Sequence, residues 1–307
     1  MPATDGSLDT EERAQARRPA PITHRARVIL AAAGLLLTCA AGAAAQQPVL
    51  DAPPATPQFF TRFDFHLNAA WLGESNPAAS SAAPAVPATV KNAVEHRYSF
   101  DTHWGGSLDF VDYVVGRTSF IIDYEAILGD EFRLFDPNQG IYTLEAASSA
   151  RVGDMEVVGI FHHVSRHLAD RANKQAVAWN AAGVRVLKRV TRDTTTFDID
   201  AELSRAVAKA FVDYTWIGEL NLSLRRPVND HVVFFVQGSG KLFAVDGSVP
   251  DRGTQTGGVA EAGVRLKGPA TGAVLELFLG FEKRVDAYEL ERDSRRWVLA
   301  GFRLLSR

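Results

Sequence analysis

The chain has 307 residues but a single cysteine, Cys39, and two methionines. It has no strong charge of either sign, and a net charge of −3 lacks the basic excess of a nucleic-acid binder, so no nucleic-acid partner is expected. Dinucleotide-binding glycine fingerprints, phosphate loops, zinc spacings and haem attachment signatures are all missing, which removes the enzyme classes that depend on them. After residue 58 no stretch sustains a helical stripe. What is there instead is abundant apolar residue, 46% of the chain, enough for a sizeable folded body.

Part of that apolar content is concentrated near the start. Residues 28–45, "VILAAAGLLLTCAAGAAA", follow a basic "HRAR" and end in small residues before "QQP". This is the pattern of an export signal cut after Ala45, giving a signal peptide over 1–45. A membrane-spanning helix and a lipoprotein signal acylated on Cys39 are the competing readings. The run is Ala/Gly-heavy and barely long enough to span, and Thr38 is an unusual neighbour for a lipid-modified cysteine. Cleavage removes the only cysteine, leaving neither disulfide nor thiol chemistry in the mature chain. Residues 46–58 form a Pro-rich periplasmic lead-in.

From Phe59 to the end the dominant signal is period two. In "TFDIDAELS", Phe197, Ile199, Ala201 and Leu203 alternate with Asp198, Asp200, Glu202 and Ser204. The same split sets Leu275, Leu277, Leu279 and Phe281 against Glu276 and Glu282, and Phe63, Phe65, Leu67 and Trp71 against Arg62, Asp64, His66 and Asn68. Tyr214, Trp216, Leu220, Leu222 and Leu224 likewise oppose Asp213, Thr215, Glu219, Asn221 and Ser223. About twelve such segments occur, near 59–72, 96–114, 118–127, 140–151, 155–165, 175–188, 195–207, 211–224, 231–243, 256–267, 272–285 and 295–305.

Short turns alternate with generally longer loops, the tight link near residue 209 excepted. That parity belongs to a transmembrane antiparallel up-and-down β-barrel over 59–307, with short periplasmic turns and longer external loops. A greasy outer wall needs lipid, and a closed barrel satisfies its backbone there without edges. A soluble lipocalin-like barrel is the alternative. Aromatics near strand ends, Phe59, Phe60, Trp71, Tyr98 and Trp297, fit interfacial girdles. The expected location is the cell outer membrane, with outer-membrane lipids, periplasmic chaperones and the barrel-assembly machinery as partners.

The segment "FHHVSRHLADR" (161–171) closes the fifth, outward-running strand with histidines, a serine and arginines. His163 and Ser165 are two apart and share a face. Serine becomes a nucleophile when a base takes its proton, and histidine titrates in the right range. A hairpin symmetric about residues 171 and 172 places Asn180 opposite His163, where a group orienting the imidazole belongs.

These residues carry a resemblance to outer-membrane phospholipase A, a twelve-stranded barrel with a catalytic His-x-Ser at the end of an outward strand and a Trp-Asn pair on the next. The matching stretches are "HVS" at 163–165 and "WN" at 179–180. The resemblance implies calcium-dependent hydrolysis of phospholipid acyl esters at the outer leaflet, a homodimer, and catalytic roles for His163, Ser165 and Asn180. A lipid A deacylase barrel also uses His-x-Ser, with a Glu as third member, and no Glu lies between Lys174 and Lys188. After the serine this chain reads "RHLADR" where the phospholipase has Asn-Gly-Arg. Arg166 or a bound cation is then the candidate for stabilising the oxyanion, with Asp130, Glu131, Asp136 and Asp170 as candidate hard-cation ligands.

Two other readings stay open. The histidines, serine and arginines can be ordinary rim residues meeting lipid headgroups, with His167 pairing Asp170 to order a turn. The chain can also be a structural barrel or small channel, its lumen lined by Asp198, Asp200, Glu202, Asp213, Glu219, Glu276, Glu282, Arg185, Arg225, Arg265 and Arg303.

Overall fold

The computed structural model describes residues 52–74, 96–169, 175, 177–269, 272–288 and 290–306. The signal segment, residues 46–51 of the Pro-rich lead-in and Asp170 lie outside the described residues.

Twelve strands follow one another along the chain: β1 (Gln58–Glu74), β2 (Phe100–Asp112), β3 (Arg117–Gly129), β4 (Asp136–Val152), β5 (Met155–Leu168), β6 (Val177–Arg192), β7 (Thr195–Ala210), β8 (Tyr214–Pro227), β9 (Val232–Val245), β10 (Gln255–Lys267), β11 (Val274–Arg284) and β12 (Arg295–Leu305). Each pairs with its sequence neighbours, and β1 meets β12 antiparallel from His66↔Leu305 to Glu74↔Trp297, so the barrel closes without an edge. The expected up-and-down barrel of about twelve strands is the observed fold.

The connections fall into two sets. At one end, the turn end, β4–β5 and β6–β7 are joined through Gly153–Asp154 and Asp193–Thr194. Both links need left-handed backbone, and Gly153 (φ 60°) and Asp193 (φ 53°) supply it. The other, loop end carries the wider connections, with 211–213 as the tight exception.

The alternation seen in the sequence sorts onto the two faces of the wall. Asp64, His66 and Asn68 are buried inside while Phe63, Phe65 and Leu67 are exposed outside. The same holds on β11, where Glu276 and Glu282 are buried and Leu277, Leu279 and Phe281 are exposed. Two departures have a physical cause. Tyr214 and Trp216 were expected on one face, yet Tyr214 is buried and Trp216 exposed, because a bulge between them shifts the register against β9. Tyr98 (4% exposed) and Trp297 (0%) were expected in an outer girdle, but they stack against each other inside, ring centroids 5.1 Å apart.

The interior is filled by paired charges. Arg303 donates to Glu276 (2.6 Å) and Glu261 (2.9 Å), and Arg265 donates to Glu276 (2.7 Å). Arg185 grips Glu145 with two bonds of 2.7 Å and reaches Glu202 at 2.8 Å. Arg117 spans Asp109 and Glu156. Each buried charge here has opposite charges and hydrogen bonds to replace the water it lost, without which its burial would be prohibitive.

At the loop end the connection between β11 and β12 folds into the mouth. The carbonyl of Ala287 accepts from Gln139 (3.1 Å) and Arg166 (3.4 Å), while Asp286 accepts from Tyr214 (2.6 Å) and Arg252 (2.7 Å). Ala287 and Tyr288 join Trp297, Leu299, Ile127 and Phe235 in an apolar cluster. Burial holds the Tyr98 phenol in this cluster well above its ordinary pKa, so it stays neutral.

Candidate functional site

The β5–β6 hairpin sets the site. Its register pairs His163 with Asn180 and Ser165 with Ala178, as the symmetry of the sequence around 171 and 172 implies. Period two then separates "HHVSRH" onto opposite faces. His162 and Arg166 turn inward, where His162 lies 3.8 Å from Glu202 and Arg166 donates to Gln139. His163, Ser165 and His167 share the outer face with the exposed Phe161.

On that outer face His163 Nδ1 lies 2.6 Å from Asn180 Oδ1. An amide oxygen only accepts, so Nδ1 carries the proton and Nε2 is left with a free lone pair. Ser165 does not pair with His163. Its Oγ lies 2.7 Å from His167 Nε2, with the His167 ring edge-on to Tyr142 at 5.7 Å. The three proposed residues are thus on one face near the loop end. Two of them are joined directly, and the serine hydroxyl is held by a neighbour that the sequence reading had assigned to a turn. Trp179, of the "WN" pair, points inward and packs edge-on against Tyr214 at 5.4 Å.

Arg166 is a correction. It is buried on the inner face, bonded to Gln139 and Ala287, and strand alternation keeps it from the side of the wall where Ser165 stands. It cannot stabilise an oxyanion formed at that serine.

The carboxylates proposed as metal ligands are separately engaged. Asp130 pairs with His96 (2.9 Å), Glu131 accepts from Asn138 (3.2 Å), and Asp136 lies 3.6 Å from Arg133. Among the described residues, the groups that bring three ligand atoms within 4.8 Å are Asp101–His103–Glu125 and Glu145–His162–Glu202, both inside the lumen. In each an arginine already bridges the carboxylates, Arg284 in the first and Arg185 in the second. The positive charge a metal would bring is therefore already present.

A line of outward aromatics leads to the site. Trp104 meets Tyr124 at 5.4 Å, Tyr124 meets Tyr142 at 4.8 Å, and Tyr142 is the ladder partner of Ser165. On the other side, β7 and β8 place Arg205 opposite Ala182 and Trp216. Arg205 is exposed on the outer face, its guanidinium 5.9 Å from the Trp216 ring. It was absent from the residues singled out by sequence, although the alternation that puts Leu203 outside puts Arg205 there too.

No family model matches the chain, and no curated protein matches it. Solved structures that resemble it are bacterial outer-membrane barrels. Outer-membrane phospholipase A from Escherichia coli is 11% identical with a TM-score of 0.47, covering 82% of this chain and 98% of its own. LpxR from Salmonella typhimurium is 10% identical with a TM-score of 0.44, covering 79% and 99%. OmpT of Vibrio cholerae is 9% identical with a TM-score of 0.40, covering 84% and 99%. At such identities and TM-scores the likeness transfers no residue role to this chain.

Proposed function

We propose that the chain is an integral outer-membrane barrel that hydrolyses lipid acyl esters at the outer leaflet. The location is supported by the wall itself. A closed barrel with paired charges inside and Phe63, Leu67, Leu277, Leu279 and Phe302 exposed outside is built for hydrocarbon around it, not water. Export through a cleaved signal, help from periplasmic chaperones and the assembly machinery, and a homodimer belong to the same reading.

The observation that carries the enzymatic reading is the 2.6 Å bond between His163 and Asn180 on the lipid-facing side, with Ser165 two residues further along the same face. Polar side chains on such a face are costly, and an oriented imidazole beside a serine gives that cost a purpose. In the reaction Ser165 Oγ attacks the ester carbonyl and gives its proton to His163 Nε2, which Asn180 keeps in the correct tautomer. The imidazolium then protonates the departing alcohol. Water activated by the same nitrogen cleaves the acyl-serine and restores the hydroxyl. To begin, Oγ must rotate from His167 toward His163.

Calcium does not fit the described residues at this site. The ion takes roughly six to eight oxygen ligands, whereas the outer-face neighbours of Ser165 and Asn180 are Tyr142, Ala178, Ala182 and Ala208, and the candidate carboxylates are engaged elsewhere.

Refolded protein should cleave a medium-chain phospholipid in detergent, and Ser165→Ala should abolish turnover. Wild-type turnover equal to that of Ser165→Ala would dismiss the hydrolase. A purely structural barrel is the second reading, favoured by the ion pairs and by the Ala287–Tyr288 plug that fill the lumen. A wide channel is not supported by that interior, and planar-bilayer recordings should show no large conductance steps.

A further inference from the structure

We infer that the connection between β3 and β4, residues 130–135, is an interfacial anchor that lies against the outer leaflet and buries Phe132, Leu134 and Phe135 among its acyl chains. The inference rests on the outer-membrane location proposed above and is independent of the hydrolase.

The segment is sorted by chemistry. Its acids are held by the protein: Asp130 pairs with His96 at 2.9 Å, and Glu131 accepts from Asn138 at 3.2 Å and lies 3.9 Å from Arg97. The Asp136 that follows is buried. Its large apolar side chains are left outside, with Phe132 71% and Leu134 76% exposed and Phe135 exposed beside them. The charge among them, Arg133, is a cation on a long apolar stem, which can stay in hydrocarbon while the head reaches the lipid headgroups. Single exposed apolar residues are ordinary, but three in four consecutive positions are not what a loop standing in water carries.

The backbone shows what covers them. The turn closes through the Asp136 N–H, which donates to the Arg133 carbonyl at 3.1 Å. Within it Phe135 has φ 57°, left-handed backbone for which a turn ordinarily takes glycine. A bulky side chain there costs backbone strain, and the strain sets its ring 5.3 Å from that of Phe100. Phe100 belongs to the outer face, opposite the exposed Trp71 on β1 and Leu128 on β3. The patch is therefore continuous with the apolar wall at its loop end, and it shares the wall's solvent. With Tyr98 and Trp297 turned into the barrel, the aromatic rings for the outer interface on this side come from Trp71, Phe100 and the connection.

Depth measured at the connection itself tests this. In the full chain carrying Cys39→Ser an introduced cysteine is the only one, so Leu134→Cys, Leu279→Cys and Ser248→Cys can each take one environment-sensitive fluorophore. Leu279 lies on the wall near the middle of β11, and Ser248 is exposed in the polar connection between β9 and β10. The barrels are refolded into phosphatidylcholine–phosphatidylglycerol vesicles containing nitroxide lipids labelled either near the headgroup or deep in the chain. The fluorophore at 134 should lose most emission to the shallow nitroxide, that at 279 to the deep one, and that at 248 to neither. Quenching at 134 no greater than at 248, with 279 still quenched, would overturn the anchor while leaving the barrel in the membrane. Shielding of position 134 from both nitroxide lipid and aqueous iodide would put a second copy of the chain over the patch and overturn it equally. Absence of quenching at 279 would sink the membrane location and the anchor with it.

Discussion

His163 and Asn180 face each other directly across the β5–β6 ladder, Nδ1 to Oδ1 at 2.6 Å, on the outer surface of the barrel. The bond fixes which imidazole nitrogen is free. It also makes two histidines near Ser165 inequivalent, since His167 holds the hydroxyl while His163 is the one that is oriented.

That inequivalence is testable. His163→Ala should lower kcat on a phospholipid substrate by about 10³, and Asn180→Ala should cost on the order of a hundredfold through misorientation. His167→Ala, which frees the hydroxyl, should leave kcat within a few-fold. Barrel folding is checked in each variant by heat-modifiable gel mobility. If His167→Ala were the inactive variant and His163→Ala the active one, the base would be His167 and the Asn180 pair merely structural.

The lumen makes its own demand. Arg303 neutralises both Glu276 and Glu261. Arg303→Met removes the shared cation and leaves two carboxylates facing each other, with Arg265 satisfying one of them. The expected loss is about 3–5 kcal/mol, read as a lower midpoint of denaturant unfolding in detergent or lipid. Joint replacement Arg303→Met, Glu261→Gln, Glu276→Gln should recover much of it. No loss in the single variant would mean that the interior is wet enough to screen these charges.

The outer wall can be probed at Leu279, which is exposed near the middle of β11. Leu279→Arg should destabilise the barrel in a bilayer by about 2–4 kcal/mol if that position lies at mid-depth in hydrocarbon. The measurement is reversible unfolding in phospholipid vesicles. A neutral outcome there would place water against the wall, and the membrane assignment would fail with it.

Much of this architecture is legible in the sequence. Alternation between Phe197 and Leu203 on one side and Asp198 to Ser204 on the other fixes which face is which, because a strand's side-chain period admits no other solution. The pairing of His163 with Asn180 followed from hairpin symmetry alone. What stayed hidden depends on contacts far apart in sequence or on register slips. The bulge that turns Tyr214 inward is a register slip against the neighbouring β9, while the stacking of Tyr98 on Trp297 and the descent of Ala287 into the mouth depend on partners far along the chain. The inward turn of Arg166 was legible, since it neighbours Ser165 on a strand. Proximity in sequence to a candidate nucleophile drew it onto the wrong face.

The most direct test is covalent. A long-chain alkyl fluorophosphonate mimics the ester carbonyl and is captured only by an activated serine. Intact-mass and peptide mass spectrometry of the folded barrel should find one phosphonyl adduct, on Ser165, that disappears in His163→Ala. A barrel that stays unlabelled, or carries the label on another residue, would contradict a hydrolytic centre on its outer face.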